Sequence, residues 1–291
     1  MIDPTFMADF TFQREWVEKK GFLLVLAFFL GGLGGGLYLV SLYLDFYLPG
    51  MITGFLIVAL GKSSTHLAYL GKPWRFWRGF LKPQNSWISR GLIAITLFVI
   101  FAFLQLLPAV APGLPWNSNN SLITVFVLIG GISLIAYTGF ALGVVNAIPI
   151  WNTALMPALF IVYSLLGGAG LAAGILAASG GPASLLATTE TLLRVLLVTA
   201  AILLVFYLWI GYYSTPGGKK SVLELLKGKV APFFMFGVLL FGIIIPLVTA
   251  FYAYFFHVSP VWITTGVACE LVGGFFVRYS ILKAGIYAPL V

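Results

Sequence analysis

The feature that most constrains this chain is a series of apolar runs that recurs along its whole length. Each run has about 20 residues or more, which is long enough to cross a bilayer as a helix. Only 8% of the residues are charged, whereas soluble domains have about a quarter. Water therefore cannot be the main solvent of the folded surface. The sequence predicts an all-α polytopic membrane protein.

Glycine- and proline-containing breaks divide the apolar pattern into eight predicted spans. We place the helices at 21–44, 50–70, 88–108, 121–146, 153–178, 184–211, 231–256 and 259–283. Residues 1–20 are polar and mixed in charge, and the first apolar run is too long for a cleavable signal peptide. With eight spans, both termini lie on the same side.

The basic residues segregate to that side. All of the 16 Lys and Arg residues except Arg194 fall in the N-terminal segment, in two loops with their flanks, or near the C-terminus. They are Arg14, Lys19, Lys20, Lys62, Lys72, Arg75, Arg78, Lys82, Arg90, Lys219, Lys220, Lys227, Lys229, Arg278 and Lys283. By the positive-inside rule this side is cytoplasmic. We therefore expect a multi-pass protein of the cytoplasmic membrane with both termini in the cytoplasm.

The stretch 65–91 mixes basic residues with tryptophans, and the net charge is +8. Basic loops that face an anionic leaflet, with tryptophans at the headgroup level, explain both features. A nucleic-acid partner is therefore not needed, and we expect the partner of this surface to be the lipid membrane or another protein.

Ionisable residues inside spans are costly and so become candidates for function. They are Asp45, His66, Glu190, Arg194, His257, Glu270 and Arg278. Glu190 and Arg194 share a helix face, and so do Glu270 and Arg278. A structural ion pair and a proton relay remain alternatives for these groups.

Two observations argue against a metal cofactor in the chain. The lone Cys269 cannot ligate an iron–sulfur cluster, which needs about four thiolates. His66 and His257 lie at opposite depths, so they cannot be the two axial ligands of one haem. The sequence therefore predicts no haem, no iron–sulfur cluster and no metal site.

Small residues are concentrated in the first span, where Gly31, Gly32, Gly34, Gly35 and Gly36 follow one another closely. Close helix packing explains such a run. The alternative is a slot for an amphipathic ring, lined by these glycines and by Tyr137 of the fourth span.

Five motifs occur in order along the chain, namely FLGGLGGGLYL, HLAYLGKPWRFWRGF, PQNSWISRG, YTGFALGVVNAIPIWNTALMPALF and GGFFVRYSILKAGIY. Together they resemble the NrfD-like family, which comprises the membrane subunits of polysulfide reductase and related complexes. The resemblance implies two four-helix bundles, here 21–146 with a quinone pocket and 147–291, after the cytoplasmic segment 1–20. It also implies electron exchange between membrane quinone and an iron–sulfur subunit, which serves a catalytic subunit, often a molybdopterin enzyme.

The resemblance also implies roles for individual residues. Tyr137 matches the tyrosine whose hydroxyl binds a quinone carbonyl, His66 is a candidate proton partner, and Gly34, Gly35 and Gly36 form the pocket wall. Asp45, Glu190, Arg194, Glu270 and Arg278 are the candidates for a proton relay. We expect the iron–sulfur subunit to dock on the cytoplasmic face at Lys72, Arg75, Arg78, Lys82 and Arg90.

The sequence leaves two other functions open. Glycine-broken helices and carboxyl groups within the membrane are also typical of secondary transporters and ion-conducting subunits. A non-catalytic membrane anchor is the second alternative. The quinone type (menaquinone or ubiquinone), the terminal substrate, the direction of electron flow and the coupling to proton translocation are not specified.

Overall fold

The computed structural model describes residues 9–45, 47–256 and 260–289. Within these ranges, eight helices are long and apolar enough to cross a membrane, which confirms the predicted number of spans. His257, one of the ionisable residues considered above, lies outside the described residues.

The eight membrane helices follow the predicted spans closely, and one additional short helix lies between the sixth and the seventh. The helices are α1 Gly21–Tyr43, α2 Leu48–Tyr69, α3 Trp87–Leu106, α4 Ser121–Gly143, α5 Leu155–Ser179, α6 Ala183–Ser214, α7 Pro216–Lys227, α8 Phe233–Phe255 and α9 Pro260–Lys283. Two membrane helices contain π-helical segments, namely Ile57–Lys62 in α2 and Phe233–Ile244 in α8.

Side-chain caps fix where several helices begin. Ser86 accepts a hydrogen bond from the backbone N–H of Ser89 at the start of α3, and Asn120 does the same for Ile123 at the start of α4. These contacts satisfy N–H groups that lack a partner within the helix. At the end of α5, Gly180 adopts a left-handed conformation with φ of 63°, which a glycine accepts without strain.

α1 occupies the centre of the molecule and packs closely against α5. A Cβ atom added at Gly36 would collide with the carbonyl oxygen of Ser164, and one added at Gly168 would collide with the backbone of Gly36. α1 also contacts α2, α4 and α9. The glycines of the first span therefore allow the backbones of neighbouring helices to approach each other.

Buried side chains form two hydrophobic clusters. The smaller one joins α1, α2, α3 and α4 and includes Tyr38, Phe98 and Val127. The larger one joins α1 and α5 with α6, α8 and α9 and includes Phe160 and Leu197. α1 contributes to both, so it connects the two halves of the chain.

The two ends of the described chain meet on one face. β1 Thr11–Phe12 pairs antiparallel with β2 Ile286–Tyr287, which agrees with an even number of spans. Lys283 donates a hydrogen bond of 2.7 Å to the Glu18 carboxylate. This hydrogen bond holds the pKa of Glu18 below its ordinary value.

α7 was not predicted from the sequence, which assigned its residues to a loop. Thr215 caps it by accepting a hydrogen bond from the backbone N–H of Gly218. Its apolar side chains Val222 and Leu225 are buried, whereas Lys219 and Lys220 are exposed. It is therefore an amphipathic helix that lies on the same face as the termini.

We predict that Gly168→Ala destabilises the protein by about 1–3 kcal/mol or more, because the added methyl group forces α5 away from α1. The measurement is the midpoint of thermal unfolding of the purified chain in detergent micelles. Gly174→Ala is the matched control on the same helix, since a Cβ there lies 3.5 Å from Val267, an ordinary contact. Equal midpoints for the two variants would contradict the prediction.

Candidate functional site

Lys62 lies inside the protein and not at the membrane surface. It is 1% exposed and ends the π-helical segment of α2. The sequence analysis grouped Lys62 with the cytoplasmic basic residues, and that assignment is wrong. A buried ammonium needs a partner that offsets its loss of hydration, so its contacts identify a polar site.

The partner of Lys62 is Tyr137 of α4. The Lys62 ammonium donates a hydrogen bond of 3.1 Å to the Tyr137 hydroxyl oxygen. Because the oxygen is the acceptor, the hydroxyl proton of Tyr137 is free to be donated elsewhere. The ammonium has three N–H donors, of which one has a protein partner among the residues described here.

Two glycines make room for this pair. A Cβ at Gly31 would lie 2.8 Å from Cδ of Lys62, so α1 must have no side chain there. A Cβ at Gly91 of α3 would collide with the ring of Tyr137. The position of the pair therefore depends on small residues in two neighbouring helices.

His66 lies one helical turn beyond Lys62, where α2 approaches its end. The residue is half-buried, and its Nδ1 is buried without a hydrogen-bond partner among the described residues. Buried polar atoms are normally hydrogen-bonded. The ring nitrogen of His66 is therefore available to hydrogen-bond a further group.

The interior space beside Tyr137 is small. It is lined by Gly31, Gly32, Lys62, Tyr137 and Ser164, among others, and it has no room for a water molecule. Gly34, Gly35 and Gly36 lie elsewhere, where they contact Gly54 and Val58 of α2, Leu134 and Ile135 of α4, and Ser164 of α5. Gly31 and Gly32 are thus the glycines that adjoin Lys62 and Tyr137.

A second buried cation reaches α1 from another helix. Arg278 of α9 is 2% exposed and donates hydrogen bonds to the Gly274 carbonyl oxygen (2.7 Å) and to Ser164 Oγ (3.1 Å). A Cβ at Gly32 would collide with its guanidinium. Ser164 also lines the space beside Tyr137, so one hydroxyl connects Arg278 with the Lys62–Tyr137 pair.

Glu270 lies on the same helix as Arg278 and is also 2% exposed. Both of its carboxyl oxygens are without a hydrogen-bond partner in the described part of the chain. A Cβ at Gly274 would lie 3.7 Å from Arg278 Nη1 and 3.9 Å from Glu270 Oε1. The two charged groups therefore share a helix face, as predicted, without direct contact.

The remaining candidates for a proton relay lie closer to the protein surface than Glu270 and Arg278 do. Arg194 and Glu190 form an ion pair of 3.9 Å on α6, which confirms that these two residues pair. Arg194 also donates to Thr191 and lies over the Tyr254 ring. Asp45 is exposed beyond the end of α1, with φ of 53°.

The residues expected to contact a partner form an exposed surface between α2 and α3. Lys72, Arg75, Arg78, Lys82 and Arg90 are all exposed. Pro73–Phe80 forms a 3-10 helix, in which residues three apart eclipse each other. Trp74, Trp77 and Phe80 therefore share one face. Arg90 also caps this segment by donating to the carbonyl oxygens of Pro83 and Gln84.

The described residues contain no group of three or more His, Cys, Asp or Glu side chains that could hold a metal ion. The polar sites found here are instead a Lys–Tyr–His group and an Arg–Ser–Glu group.

Comparison with known proteins agrees with this architecture. The profile of the polysulphide reductase NrfD family matches residues 19–289. The chain belongs to this family. It is also similar to the protein NrfD homolog of Haemophilus influenzae, with 24% identity over an alignment of 265 positions and coverage of 81% of each chain. The match to the family begins just before α1 and extends beyond α9, so it includes all eight membrane helices of this NrfD-family protein.

Lys62 is the residue that the sequence analysis missed, although a signal was present. The residue lies inside the predicted span 50–70, and His66 follows it at the spacing that places two side chains on one helix face. Charge counting by loops assigned it to the surface, because that method considers the order of residues and not the depth of a side chain.

We predict that Tyr137→Phe destabilises the protein by about 1–3 kcal/mol, since it leaves the buried Lys62 ammonium without its partner. In a Lys62→Met background the same change is expected to be nearly neutral, because both partners are then apolar. A double-mutant cycle on unfolding in detergent measures this difference. Equal costs of Tyr137→Phe in the two backgrounds would show that the hydrogen bond contributes nothing.

Proposed function

We propose that this chain is the quinone- or quinol-binding membrane subunit of a multisubunit redox complex. It would exchange electrons between the membrane quinone pool and an iron–sulfur subunit. The observation that carries the proposal is the buried Lys62–Tyr137 pair beside the orphaned Nδ1 of His66. Membership in the NrfD family supports a role in a redox complex.

The residues present fit a quinone by their hydrogen-bonding chemistry. A quinone offers carbonyl oxygens, which need donors. Tyr137 has a free hydroxyl proton and Lys62 has further N–H groups, so both can be directed to such an oxygen. The interior space on the glycine side of the pair is too small for water. A ring would therefore approach Tyr137 from the side of His66 and the lipid.

We assign a different role to each of three side chains at this site. A quinone, when bound, supplies the transfer of two electrons and two protons. The Tyr137 hydroxyl donates a hydrogen bond to a ring oxygen and fixes its position. The Lys62 ammonium places a positive charge beside that oxygen, which favours negative charge as it develops there. The Nδ1 of His66 has no hydrogen-bond partner among the described residues, and an imidazole can take up or release a proton.

The proposal assigns the electron partner to the face that carries the termini. Tyr137 lies near the end of α4 and His66 near the end of α2, and both ends reach this face. The exposed surface of Lys72, Arg75, Arg78 and Lys82 lies there too. The positive charge of this surface is complementary to an acidic iron–sulfur subunit. By the positive-inside rule, the remaining basic loops favour a cytoplasmic location for this face of the protein. The iron–sulfur subunit would in turn exchange electrons with a catalytic subunit, which is often a molybdopterin enzyme in such complexes.

The proposal also divides the chain into two four-helix bundles, 21–146 and 147–291, after the segment 1–20. The smaller hydrophobic cluster, which lies wholly within 21–146, supports this division. The first bundle would bind the quinone, with Gly34, Gly35 and Gly36 as part of its packed wall. The second bundle carries Glu190, Arg194, Glu270 and Arg278, which we assign to a proton relay together with Asp45.

A secondary transporter or ion-conducting subunit is the second candidate, and a specific observation favours it. Glu270 is buried with unpaired carboxyl oxygens in the second half of the chain, as in transporters with carboxyl groups at mid-membrane depth. This function requires transport of a solute by the isolated chain in liposomes. A non-catalytic anchor, in contrast, requires that no side chain near Tyr137 affects quinone-dependent activity.

We predict that Tyr137→Phe lowers quinol-dependent turnover by about 10- to 100-fold, which corresponds to the loss of one hydrogen bond of roughly 1.5–3 kcal/mol to a charged or developing-charge group. The measurement is electron transfer from reduced ubiquinone and menaquinone analogues in the purified complex. Tyr38→Phe is the matched control. Tyr38 is also buried and donates a hydrogen bond, but to Gln105 of α3 (3.0 Å). Equal quinol-dependent turnover of the Tyr137→Phe and Tyr38→Phe variants would contradict the proposal and favour a non-catalytic membrane anchor.

Purification in mild detergent tests the assembly itself. We predict that an iron–sulfur protein and extractable quinone copurify with the chain. Reversal of the basic surface in Arg75→Glu/Arg78→Glu is expected to release the iron–sulfur protein and to leave the membrane helices folded. The measurements are iron content, the absorption of the clusters and quinone content. A chain that purifies alone and transports a solute would contradict the proposal.

A further inference from the structure

α6 is long enough to pass through the headgroup layers of a bilayer. It has 32 residues, and a rise of about 1.5 Å per residue gives it a length of about 48 Å. A bilayer is about 40–45 Å thick when its headgroups are included. α6 ends at Ser214, and α7, which follows it directly, contacts β2. The last turn of α6 therefore lies at headgroup level on the face that carries the termini.

Exposed apolar and aromatic side chains form a stripe along the last three turns of α6. They are Ile202, Val205, Phe206, Trp209 and Tyr213. Their spacing of three and four residues places them on one face of the helix. Trp209 is 64% exposed and Tyr213 is 71% exposed, and both residue types prefer the headgroup level of a bilayer. The stripe therefore leads from the acyl-chain region to the headgroups.

A series of ring contacts connects this stripe with the first lysine of α7. The ring centroids of Trp209 and Tyr213 are 5.5 Å apart, and those of Tyr213 and Tyr212 are 5.0 Å apart. Lys219 Nζ lies over the Tyr212 ring, 5.0 Å from its centroid. An ammonium group thus lies at the headgroup end of the lipid-facing stripe.

The ammonium group of Lys219 is available to an anion. The residue is exposed, and within the described residues its side chain takes part in no ion pair. An ammonium group has three N–H donors, and the ring of Tyr212 offers no lone pair to accept them in a conventional hydrogen bond. Phosphate oxygens are strong acceptors for such donors.

The acidic residue of α7 does not neutralise the lysines around it. Glu224 accepts hydrogen bonds from the backbone N–H groups of Lys229 (2.8 Å) and Val230 (3.3 Å), so its carboxylate is engaged in the turn that ends the helix. Lys220 is exposed beside Lys219 and lies over the Phe10 ring at 3.8 Å. The start of α7 therefore carries positive charge that no carboxylate of the described chain offsets by direct contact.

Charge alone is compatible with an acidic protein or with an anionic lipid, and the stripe of α6 distinguishes them. An acidic protein that approaches from water would contact Lys219 and Lys220 but would leave Phe206 and Trp209 unused in the bilayer. A phospholipid carries a phosphate at headgroup level and acyl chains below it, so it matches both parts of the surface. Basic groups at the cytoplasmic ends of membrane helices bind anionic headgroups in this way.

We infer that Lys219 and the lipid-facing stripe of α6 form a binding site for an anionic glycerophospholipid. The Lys219 ammonium donates hydrogen bonds to the phosphate, and one acyl chain lies along Phe206, Val205 and Ile202. Lys220 adds a second positive charge nearby. Since α7 contacts β2, the bound lipid holds the sheet of the two termini at the bilayer surface.

Native mass spectrometry of the purified chain in a nonionic detergent tests the headgroup preference. Phosphatidylglycerol is the probe, and phosphatidylcholine with the same acyl chains is the reference, because its headgroup has no net charge. We expect phosphatidylglycerol to bind at least about fivefold more tightly, the effect of one lysine near an anionic surface. Lys219→Gln is expected to remove this preference, and Lys219→Arg to retain it.

Lys227→Gln is the matched control, since it removes the same charge from an exposed position two turns further along α7. It is expected to keep the preference for phosphatidylglycerol. Equal losses in Lys219→Gln and Lys227→Gln would overturn the site in favour of diffuse attraction. Inorganic phosphate in large excess is expected not to displace the lipid, and displacement would overturn the assignment to a phospholipid.

A phosphatidylglycerol with a diazirine in one acyl chain locates the bound lipid in nanodiscs. Light releases N₂ from the diazirine, and the resulting carbene inserts into a neighbouring C–H bond. The peptide with residues 202–213 is expected to gain the mass of the lipid less N₂. This labelling is expected to be lost in Lys219→Gln and retained in Lys227→Gln.

The same labelling is carried out on the chain alone and on the assembly that copurifies with it. Label confined to other peptides, such as those of the surface at 72–90, would overturn the position of the site. Label that is present in the chain alone and absent from the assembly would show that a protein covers this surface, and would overturn the inference. None of these measurements involves a quinone, so their outcome does not depend on the proposed function.

Discussion

The interior of this protein is organised by the cost of burying charge. Lys62 and Arg278 are both almost fully buried, and neither can remain so in an apolar interior without partners. Both reach α1, from two different helices, at consecutive positions. Gly31 and Gly32 have no side chain, and the space that a Cβ would occupy at each is filled by Lys62 or by Arg278. The close packing of α1 in the centre of the molecule thus serves polar groups as well as apolar ones.

The arrangement of the helices could be predicted because the bilayer fixes it in the sequence. A span needs about 20 apolar residues, and breaks with glycine and proline are local signals that a reader can find without a structure. For that reason the predicted span 121–146 and α4 Ser121–Gly143 begin at the same residue. The pairing of Glu190 with Arg194 was predictable for a similar reason, because it depends on helical spacing within one element.

Other features depend on depth and on contacts between helices, which the order of residues does not contain. Lys62 was assigned to the surface because it precedes a basic loop, although its side chain turns inward at the end of a π-helical segment. The glycines of α1 were predicted as one group, yet Gly36 packs on α5 while Gly31 accommodates Lys62. α7 was missed because its apolar residues face the neighbouring elements and its lysines face water, so its mean composition is that of a loop.

α1 separates two polar sites of different character, and this difference suggests how they could work together. The space beside Tyr137 has no room for a water molecule. The carboxyl oxygens of Glu270 have no hydrogen-bond donor in contact among the described residues. Ser164 both contacts Arg278 and adjoins the Lys62–Tyr137 space. A charge change at either site therefore alters the electrostatic energy of the other through the low-dielectric interior, where such coupling is stronger than in water.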